Sequence, residues 1–251
     1  MAKKIRILHL TPNLRYGGAE ILIDGLVRHL ERDIFEPMVA SWHGGPLEDR
    51  MRAAGILVLR IPAFPKVRRI PAIARQLKKQ QVDILHTHLF IGGFYGRLAA
   101  MPYRHLAVIR THHGLTFQNK TMPRIFFESL LYYRTDRVVA VSAAVKRHIL
   151  KTLKWPSGRV AVISNGIDTD RFITQRRDFH AVPVIAAVGR LSAEKGYDIL
   201  IQAIQILGTK GIRTGCVIAG DGPAKNDLEQ LVRRYHLTGR VEFTGNLDDV
   251  A

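Results

Sequence analysis

Residues 184–196 read VIAAVGRLSAEKG, a stretch that indicates an α/β fold. Its first five residues are small or β-branched and apolar, which favours a buried strand that ends at Gly189. Arg190 and Lys195 follow in a short charged segment, and apolar residues then recur at helical spacing. A strand, a glycine turn and an amphipathic helix in this order are typical of a βαβ unit, whose strands form a parallel sheet.

The same alternation of short apolar runs and helix-length segments extends along the whole chain. After this stretch it predicts a helix over 196–207, a strand over 213–219, a helix over 224–235 and a strand over 240–244. Before it, the pattern predicts seven strands, at 5–10, 37–41, 56–61, 83–87, 106–111, 137–141 and 159–163. We therefore predict parallel sheets that are covered by helices.

A polar segment that begins at Thr169 separates the two series of strands. It predicts a first domain over 1–168, a linker over 169–182 and a second domain over 183–251. The second series has three strands against seven in the first, about half of a doubly wound domain. We therefore expect an incomplete second domain in a C-terminally truncated chain that still folds.

Composition limits the functional classes. The 251 residues are 47% hydrophobic and 24% charged, which is ordinary for a globular protein. Since the longest apolar runs fall well short of the roughly 20 residues of a membrane span, we expect a cytoplasmic protein. One cysteine, Cys216, lies in an apolar run and is expected in the core, so an internal disulfide and a cysteine zinc site are excluded.

Charge predicts the chemistry of the partners. The chain has 38 Lys and Arg against 21 Asp and Glu, a net charge of +17, which attracts nucleic acid, anionic lipid or nucleotide substrates. The basic residues form many short clusters and no single recognition helix, so a diffuse positive surface is favoured over sequence-specific reading of nucleic acid.

The loop after the first predicted strand contains Gly17 and Gly18 and leads into a helix. Two glycines let a ligand approach the backbone closely, and the free amides of a helix start favour an anion. By itself this pattern is equally typical of an ordinary turn between a strand and a helix.

Histidines follow two other predicted strands. His112 and His113 end the fifth strand beside Gly114, where an imidazole is often catalytic or binds a ligand. His86 and His88 end the fourth strand and share one face, which permits a metal pair and hence a metal-dependent hydrolase. The sequence places no carboxylate at a strand end to complete such a site, so core or loop histidines are favoured.

A glycine-rich run, GGFYG at residues 92–96, superficially resembles a dinucleotide-binding loop. No acidic residue follows at the end of the next strand, about 20 positions on, as that motif requires. Close helix packing is the favoured interpretation.

Arg190 and Lys195 are the strongest candidates for binding. Arginine offers a planar fork of donors and lysine a point charge, so the pair can neutralise a leaving diphosphate without a metal. The alternative is a solvated charge pair beside a helix.

In this order and spacing, the motifs resemble those of retaining GT-B glycosyltransferases, the large group that includes sucrose and glycogen synthases and bacterial mannosyl- and N-acetylglucosaminyltransferases. The resemblance covers the whole chain, and it implies two doubly wound Rossmann-like domains facing a cleft. Six segments carry it: GGAE at 17–20, THHG at 111–114, DRVVAVS at 136–142, SNGID at 164–168, GRLSAEKG at 189–196 and GDGP at 220–223.

The resemblance implies a role for each matching residue. Gly17 and Gly18 match the loop that touches donor phosphate and acceptor, and His113, rather than His112, matches the active-site histidine. Arg190 and Lys195 match the diphosphate-binding pair. Further matches are the donor-side glycines Gly220 and Gly222 and the interdomain residues Asn165 and Asp168, the last two with structural roles.

The implied reaction is transfer of a sugar from a UDP- or GDP-sugar to a glycan or lipid-linked acceptor, with retention of configuration and without cofactor or metal. It fits cell-surface glycan or glycolipid synthesis by a cytoplasmic enzyme at the inner face of the membrane. The family's pair of glutamates that holds donor sugar and ribose would lie beyond residue 251. The resemblance therefore implies that this chain folds but transfers sugar slowly or not at all.

A different class of function is a basic module that binds nucleic acid or membrane on the same fold. Basic and apolar residues are interleaved in the first domain, which predicts a face that binds anionic membranes. We assign to this face Lys66, Arg68, Arg69, Lys78, Lys79, Arg124, Phe126 and Phe127. A charged surface that only contacts solvent is an equal alternative.

Overall fold

The computed structural model describes residues 3–114, 122–167, 169–172 and 182–247. The chain divides into two compact units, Met1–Ile167 and Asp168–Ala251, and each is described by itself. The predicted linker, 169–182, lies mostly outside the described residues, as does Asp168. The domain boundaries drawn from the sequence remain a prediction.

The first unit contains one seven-stranded parallel sheet with the order β3-β2-β1-β4-β5-β6-β7. The strands are β1 Ile5–Leu10, β2 Phe35–Ser41, β3 Leu57–Arg60, β4 Ile84–His88, β5 Ala107–His112, β6 Arg137–Ala140 and β7 Val160–Val162. The helices are α1 Gly18–His29, α2 Pro46–Ala53, α3 Arg69–Lys79, α4 Leu89–Ala100, α5 Met122–Leu130 and α6 Ala143–Leu153. The seven predicted strands are confirmed.

Helices cover this sheet on both faces, which is why its central strands are apolar on both sides. Leu8 and Leu85 belong to one buried cluster with Ile73 of α3. Val39 belongs to a separate buried cluster with Ile23 of α1. Polar residues in the central strands therefore occur mainly at the carboxyl ends.

The glycines of α4 serve helix packing, as predicted. A side chain on Gly92 would lie 2.9 Å from the carbonyl oxygen of Leu10, and one on Gly96 would lie 2.8 Å from Leu10 and Thr87 side-chain carbons. The helix therefore approaches β1 and β4 more closely than residues with a Cβ would allow.

The second unit contains a three-stranded parallel sheet with the order β10-β9-β8. Its elements are β8 Val184–Val188, α7 Tyr197–Thr209, β9 Gly215–Ala219, α8 Lys225–Arg234 and β10 Val241–Gly245. Ile201, Leu228 and Cys216 share a buried cluster on one face, which confirms the core position of the cysteine. Val184 and Val188 of β8 are 62% and 59% exposed.

Candidate active site

The residues predicted to form the site lie beyond the carboxyl ends of strands in both units. Gly17 and Gly18 follow β1 and His113 follows β5, at the same edge of the first sheet. At the corresponding edge of the second sheet, Arg190 and Lys195 follow β8, and Gly220 and Gly222 follow β9. This edge is where open parallel sheets bind ligands.

The glycine loop of the first unit is held by its own polar groups. The Asn13 side chain accepts a hydrogen bond from the Arg15 amide at 3.0 Å and donates one to Glu20 at 3.3 Å. Burial raises the pKa of Glu20. A Cβ on Gly18 would meet no atom within 4 Å, so the chain's own packing does not require glycine there.

His113 lies at the end of a buried histidine cluster. Its Nε2 is 3.0 Å from Nδ1 of His88, and Nε2 of His88 is 3.2 Å from Nδ1 of His9. His86 completes the cluster, and its Nε2 lies 2.7 Å from the hydroxyl of Thr111.

Burial keeps these imidazoles neutral. It lowers the pKa of His9 and of His113 to about 4, with a further contribution from Arg110 at His113. The pKa values of His86 and His88 lie well below the usual range, first because of burial and then because of neighbouring histidines.

The sequence alone does not single out His9. This residue lies in the run IRILHL, where it reads as one polar residue in a buried strand. The pairing of β1 with β4 places His9 beside His86, so the strand order supplies the missing signal. The sequence predicts the shared face of His86 and His88 but not the contact with His9.

Three of these histidines could hold a metal ion. One ligand atom from each of His9, His86 and His88 lies within 4.8 Å of the others. The group contains no carboxylate, and the guanidinium of Arg110 lies near enough to lower the pKa values of His86 and His88. A buried divalent cation would therefore add charge to an already positive surrounding.

Arg110 belongs to a buried ion network that sequence patterns do not reveal. Glu128 of α5 accepts a hydrogen bond from Arg110 at 3.1 Å and a shorter one from Arg97 of α4. All three side chains are at most 2% exposed. Despite its burial, the pKa of Glu128 is lowered to about 2 by the two guanidinium groups. The network fixes α4 and α5 to the strand that leads to His113.

His112 and His113 have different surroundings, because His112 is the last residue of β5 and His113 follows the strand. The ring of His112 is buried and contacts Trp155 at 5.9 Å between ring centres. A substitution of His112 will therefore affect packing first. That His113, rather than His112, acts in catalysis remains a prediction.

Arg190 and Lys195 are both exposed at the edge of the second sheet. Lys195 ends a short 3-10 turn, Ala193–Lys195, and α7 begins only after Gly196, whose φ is +68°. The predicted helix start at residue 196 is thus one residue early, because Gly196 is in the left-handed conformation. The two cations and Ser192 lower the pKa of the exposed Glu194 carboxyl, with the Ser192 hydrogen bond as the main cause.

Gly220 and Gly222 have a structural explanation. A Cβ on Gly220 would lie 1.9 Å from the carbonyl oxygen of Gly189, and one on Gly222 would lie 2.2 Å from that of Leu191. The Leu191 amide donates to the Asp221 carbonyl at 3.0 Å. The loops after β8 and β9 therefore interlock, while a ligand-binding role of the two glycines remains a prediction.

The prediction that Arg69 belongs to an exposed membrane face is wrong. Arg69 is 4% exposed, donates to the Ala63 carbonyl at 2.8 Å, and lies over the rings of Trp42 and Tyr95. Its guanidinium is drawn inward by a carbonyl and two aromatic faces. The other members of the face are exposed: Lys66, Arg68, Lys78, Lys79, Arg124, Phe126 and Phe127.

Asn165, which the resemblance assigns to the junction between the domains, is exposed.

None of the helices in the described part of the chain has the length and apolar composition that a membrane crossing requires.

Two family models match the chain. Glycosyltransferase Family 4 matches residues 16–171, and Glycosyl transferases group 1 matches residues 168–251. The first of these covers more than half of the chain. Together they confirm the family that the sequence motifs indicated.

Curated relatives are similar over much of the chain. The phosphatidylinositol N-acetylglucosaminyltransferase GPI3 subunit of Saccharomyces cerevisiae is 28% identical over 204 residues, which are 76% of this chain and 45% of the relative. A UDP-Gal:alpha-D-GlcNAc-diphosphoundecaprenol alpha-1,3-galactosyltransferase of Escherichia coli is 25% identical and covers 90% of this chain and 64% of the relative. The chain thus spans about half to two thirds of the length of these relatives.

A solved structure confirms the fold class. HepE of Anabaena, in complex with UDP and glucose, superimposes with a TM-score of 0.82 at 22% identity, over 97% of this chain and 70% of that one. The similarity confirms the α/β GT-B fold predicted from the sequence. With its two matching family models and this fold, the chain belongs to Glycosyltransferase Family 4.

Proposed function

We propose that this chain provides the nucleotide-sugar site of a glycosyltransferase that transfers the sugar to an acceptor hydroxyl with retention of configuration. The observation that carries the proposal is the pair of exposed cations, Arg190 and Lys195, at the carboxyl edge of the second sheet. The nearby Glu194 carboxyl accepts a hydrogen bond from Ser192, and both cations act on it only through weaker electrostatic contributions. A diphosphate is the ligand that this combination of a fork and a point charge suits.

Relatives support a sugar nucleotide as the donor. The Anabaena structure contains UDP and glucose, and the name of the Escherichia coli relative gives UDP-Gal as its donor. We propose a UDP-sugar first and a GDP-sugar second. We propose a glycan or a lipid-linked acceptor, because the same name specifies a diphosphoundecaprenol-linked sugar.

Each proposed site residue has a chemical role. Arg190 and Lys195 stabilise the negative charge that develops on the departing diphosphate. The open approach to Gly18 lets a phosphate or an acceptor reach the backbone at the start of α1. His113 is neutral at pH 7 and serves as a hydrogen-bonding group for the sugar or the acceptor.

The experiment is a donor screen on a version of the chain extended to the length of its relatives, and it measures release of nucleoside diphosphate in the presence of a lipid-linked acceptor. Arg190→Ala and Lys195→Ala are each expected to lower turnover about 100-fold, equivalent to about 3 kcal/mol. Arg213→Ala is the matched control, since Arg213 is exposed and precedes β9, at the opposite edge of the same sheet. Equal turnover in all three variants would contradict the assignment.

We also propose that the first unit associates with anionic membranes. Phe126 and Phe127 of α5 are 62% and 41% exposed, and Phe127 contacts Phe94 of α4. Arg124 lies over the ring of Phe90, 5.3 Å from its centre. Exposed aromatic rings beside a cation suit the boundary between lipid headgroups and acyl chains. A nucleic-acid-binding module is not favoured, since the chain belongs to a glycosyltransferase family.

A further inference from the structure

Three histidines form a continuous chain of ring contacts that ends at the proposed active-site residue. His9 Nδ1 lies 3.2 Å from His88 Nε2, and His88 Nδ1 lies 3.0 Å from His113 Nε2. His88 therefore uses both of its ring nitrogens. The β1–β4 pairing holds His9 on the face that His88 shares, so the backbone fixes these positions.

A chain of neutral imidazoles can be protonated in only two self-consistent ways. Each neutral ring carries one N–H donor and one acceptor nitrogen. In the outward arrangement, Nδ1 of each ring carries the proton: His9 donates to His88, His88 donates to His113, and His113 has a free N–H at Nδ1. In the inward arrangement every proton is on Nε2, and the free N–H is that of His9.

The surroundings of the two terminal rings decide between the two arrangements. The terminal atoms, His9 Nε2 and His113 Nδ1, are both buried and have no hydrogen-bond partner among the residues that the structure describes. His9 as a whole is 1% exposed, whereas His113 follows β5 and is partly exposed. A buried N–H without a partner is rarer and costlier than an acceptor without one, so the free N–H belongs at His113, the ring that a ligand or a water molecule reaches with the smaller displacement.

We propose that His9 and His88 are positioning residues that hold His113 as its Nδ1–H tautomer, which then donates a hydrogen bond to an oxygen atom of the bound substrate. The substrate contact rests on the proposed function. The tautomer of His113 does not, because the chain's own contacts fix it.

A metal ion is the competing occupant of this cluster. An ion bound by His9 and His88 would replace the hydrogen bond between them, and the two arrangements exclude each other. The described group lacks a carboxylate and lies near Arg110, which favours the hydrogen-bonded chain.

The experiment is long-range ¹H–¹⁵N NMR of the imidazole rings at pH 7.5, where the Nδ1 and Nε2 shifts report the tautomer of each histidine. Single substitutions assign the signals of the 11 histidines. We expect His9, His88 and His113 each as a single Nδ1–H tautomer, which is the minor form of free histidine in water. His88→Phe should change His113 from one tautomer to a mixture.

His86→Phe is the matched control. His86 is a ring neighbour of His88 in the same cluster, but its hydrogen bond goes to Thr111. The His86→Phe substitution should leave the His113 tautomer unchanged. His9→Phe is the second variant and should alter the signals of His88; amide spectra establish that every variant is folded.

An Nε2–H tautomer of His113 in the native chain, an unchanged His113 tautomer in folded His88→Phe, or stoichiometric zinc in the purified protein would overturn the proposal. The measurement needs neither donor nor acceptor. A failed transferase assay would therefore leave the tautomer result intact, and a failed tautomer result would leave the roles of Arg190 and Lys195 untouched.

Discussion

Gly220 crosses the backbone of Gly189 so closely that a methyl group on Gly220 would lie 1.9 Å from the Gly189 carbonyl oxygen. The φ of Gly220 is +141°, a conformation that residues with a side chain rarely adopt. Steric contact and backbone conformation thus both require glycine in the loop after β9.

Gly220→Ala is therefore expected to destabilise the second unit by about 3 kcal/mol. Hydrogen exchange of peptides from β8 and β9 measures the loss of protection. Gly239→Ala separates the two causes, because Gly239 also has a positive φ, +81°, but a Cβ there would meet no atom within 4 Å. Equal protection in Gly220→Ala and the native chain would show that the loops do not interlock as described.

Gly18→Ala should behave in the opposite way. Since a Cβ at this position meets no atom within 4 Å, the free energy of unfolding should change by less than about 0.5 kcal/mol. If a phosphate approaches this backbone, the added methyl group should weaken UDP binding about tenfold. Calorimetry measures the affinity and thermal unfolding measures the stability; native affinity in the variant would remove Gly18 from the site.

Acid should unfold the first unit in a defined pH window. Burial lowers the pKa of His9 to about 4 from an unfolded value of 6.5, so below pH 6.5 the unfolded chain binds a proton that the folded chain does not. Stability contributed by neutral His9 is full above pH 6.5 and falls by roughly 3 kcal/mol as the pH drops to 4. Glu128, with its pKa lowered to about 2, contributes a separate loss below pH 4.5.

Tryptophan fluorescence measures this loss selectively. Both tryptophans, Trp42 and Trp155, are buried in the first unit, so urea unfolding followed by their emission reports that unit alone. His9→Phe should make the pH dependence between 6.5 and 4 less steep without abolishing it, because burial also lowers the pKa values of His86, His88 and His113. An equally steep dependence in this variant would mean that His9 is not among the titrating groups.

Membrane association should depend on the exposed rings of α5. Phe126→Ser with Phe127→Ser should reduce flotation with anionic vesicles at low salt several-fold, because both aromatic and electrostatic contributions are needed for stable binding. Ile199→Ser, which removes a 66% exposed side chain in the second unit, is the control. Absence of flotation by the native chain at low salt would exclude the membrane proposal.

The sequence predicts the strands and the edge at which the candidate site lies, because apolar runs ending in glycine or polar residues are local signals. It does not predict the Arg97–Glu128–Arg110 network, whose arginines are 31 and 18 positions apart from the glutamate. The sequence does not identify His9 for a related reason: its partner His86 lies on β4, and only the strand order brings the two residues together. The sequence predicts an exposed Arg69, because a cluster of basic residues does not show which of them packs over a buried ring such as that of Trp42.

The most direct test of nucleotide binding is calorimetric titration of the chain with UDP and GDP, compared with the Arg190→Ala, Lys195→Ala double variant and with Arg213→Ala. We predict that the native chain and Arg213→Ala bind a nucleoside diphosphate equally well and that the double variant binds it at least about 100-fold more weakly, a difference of about 3 kcal/mol. Equal affinity in a folded double variant, or no binding of either nucleotide by the native chain, would contradict the proposed diphosphate site.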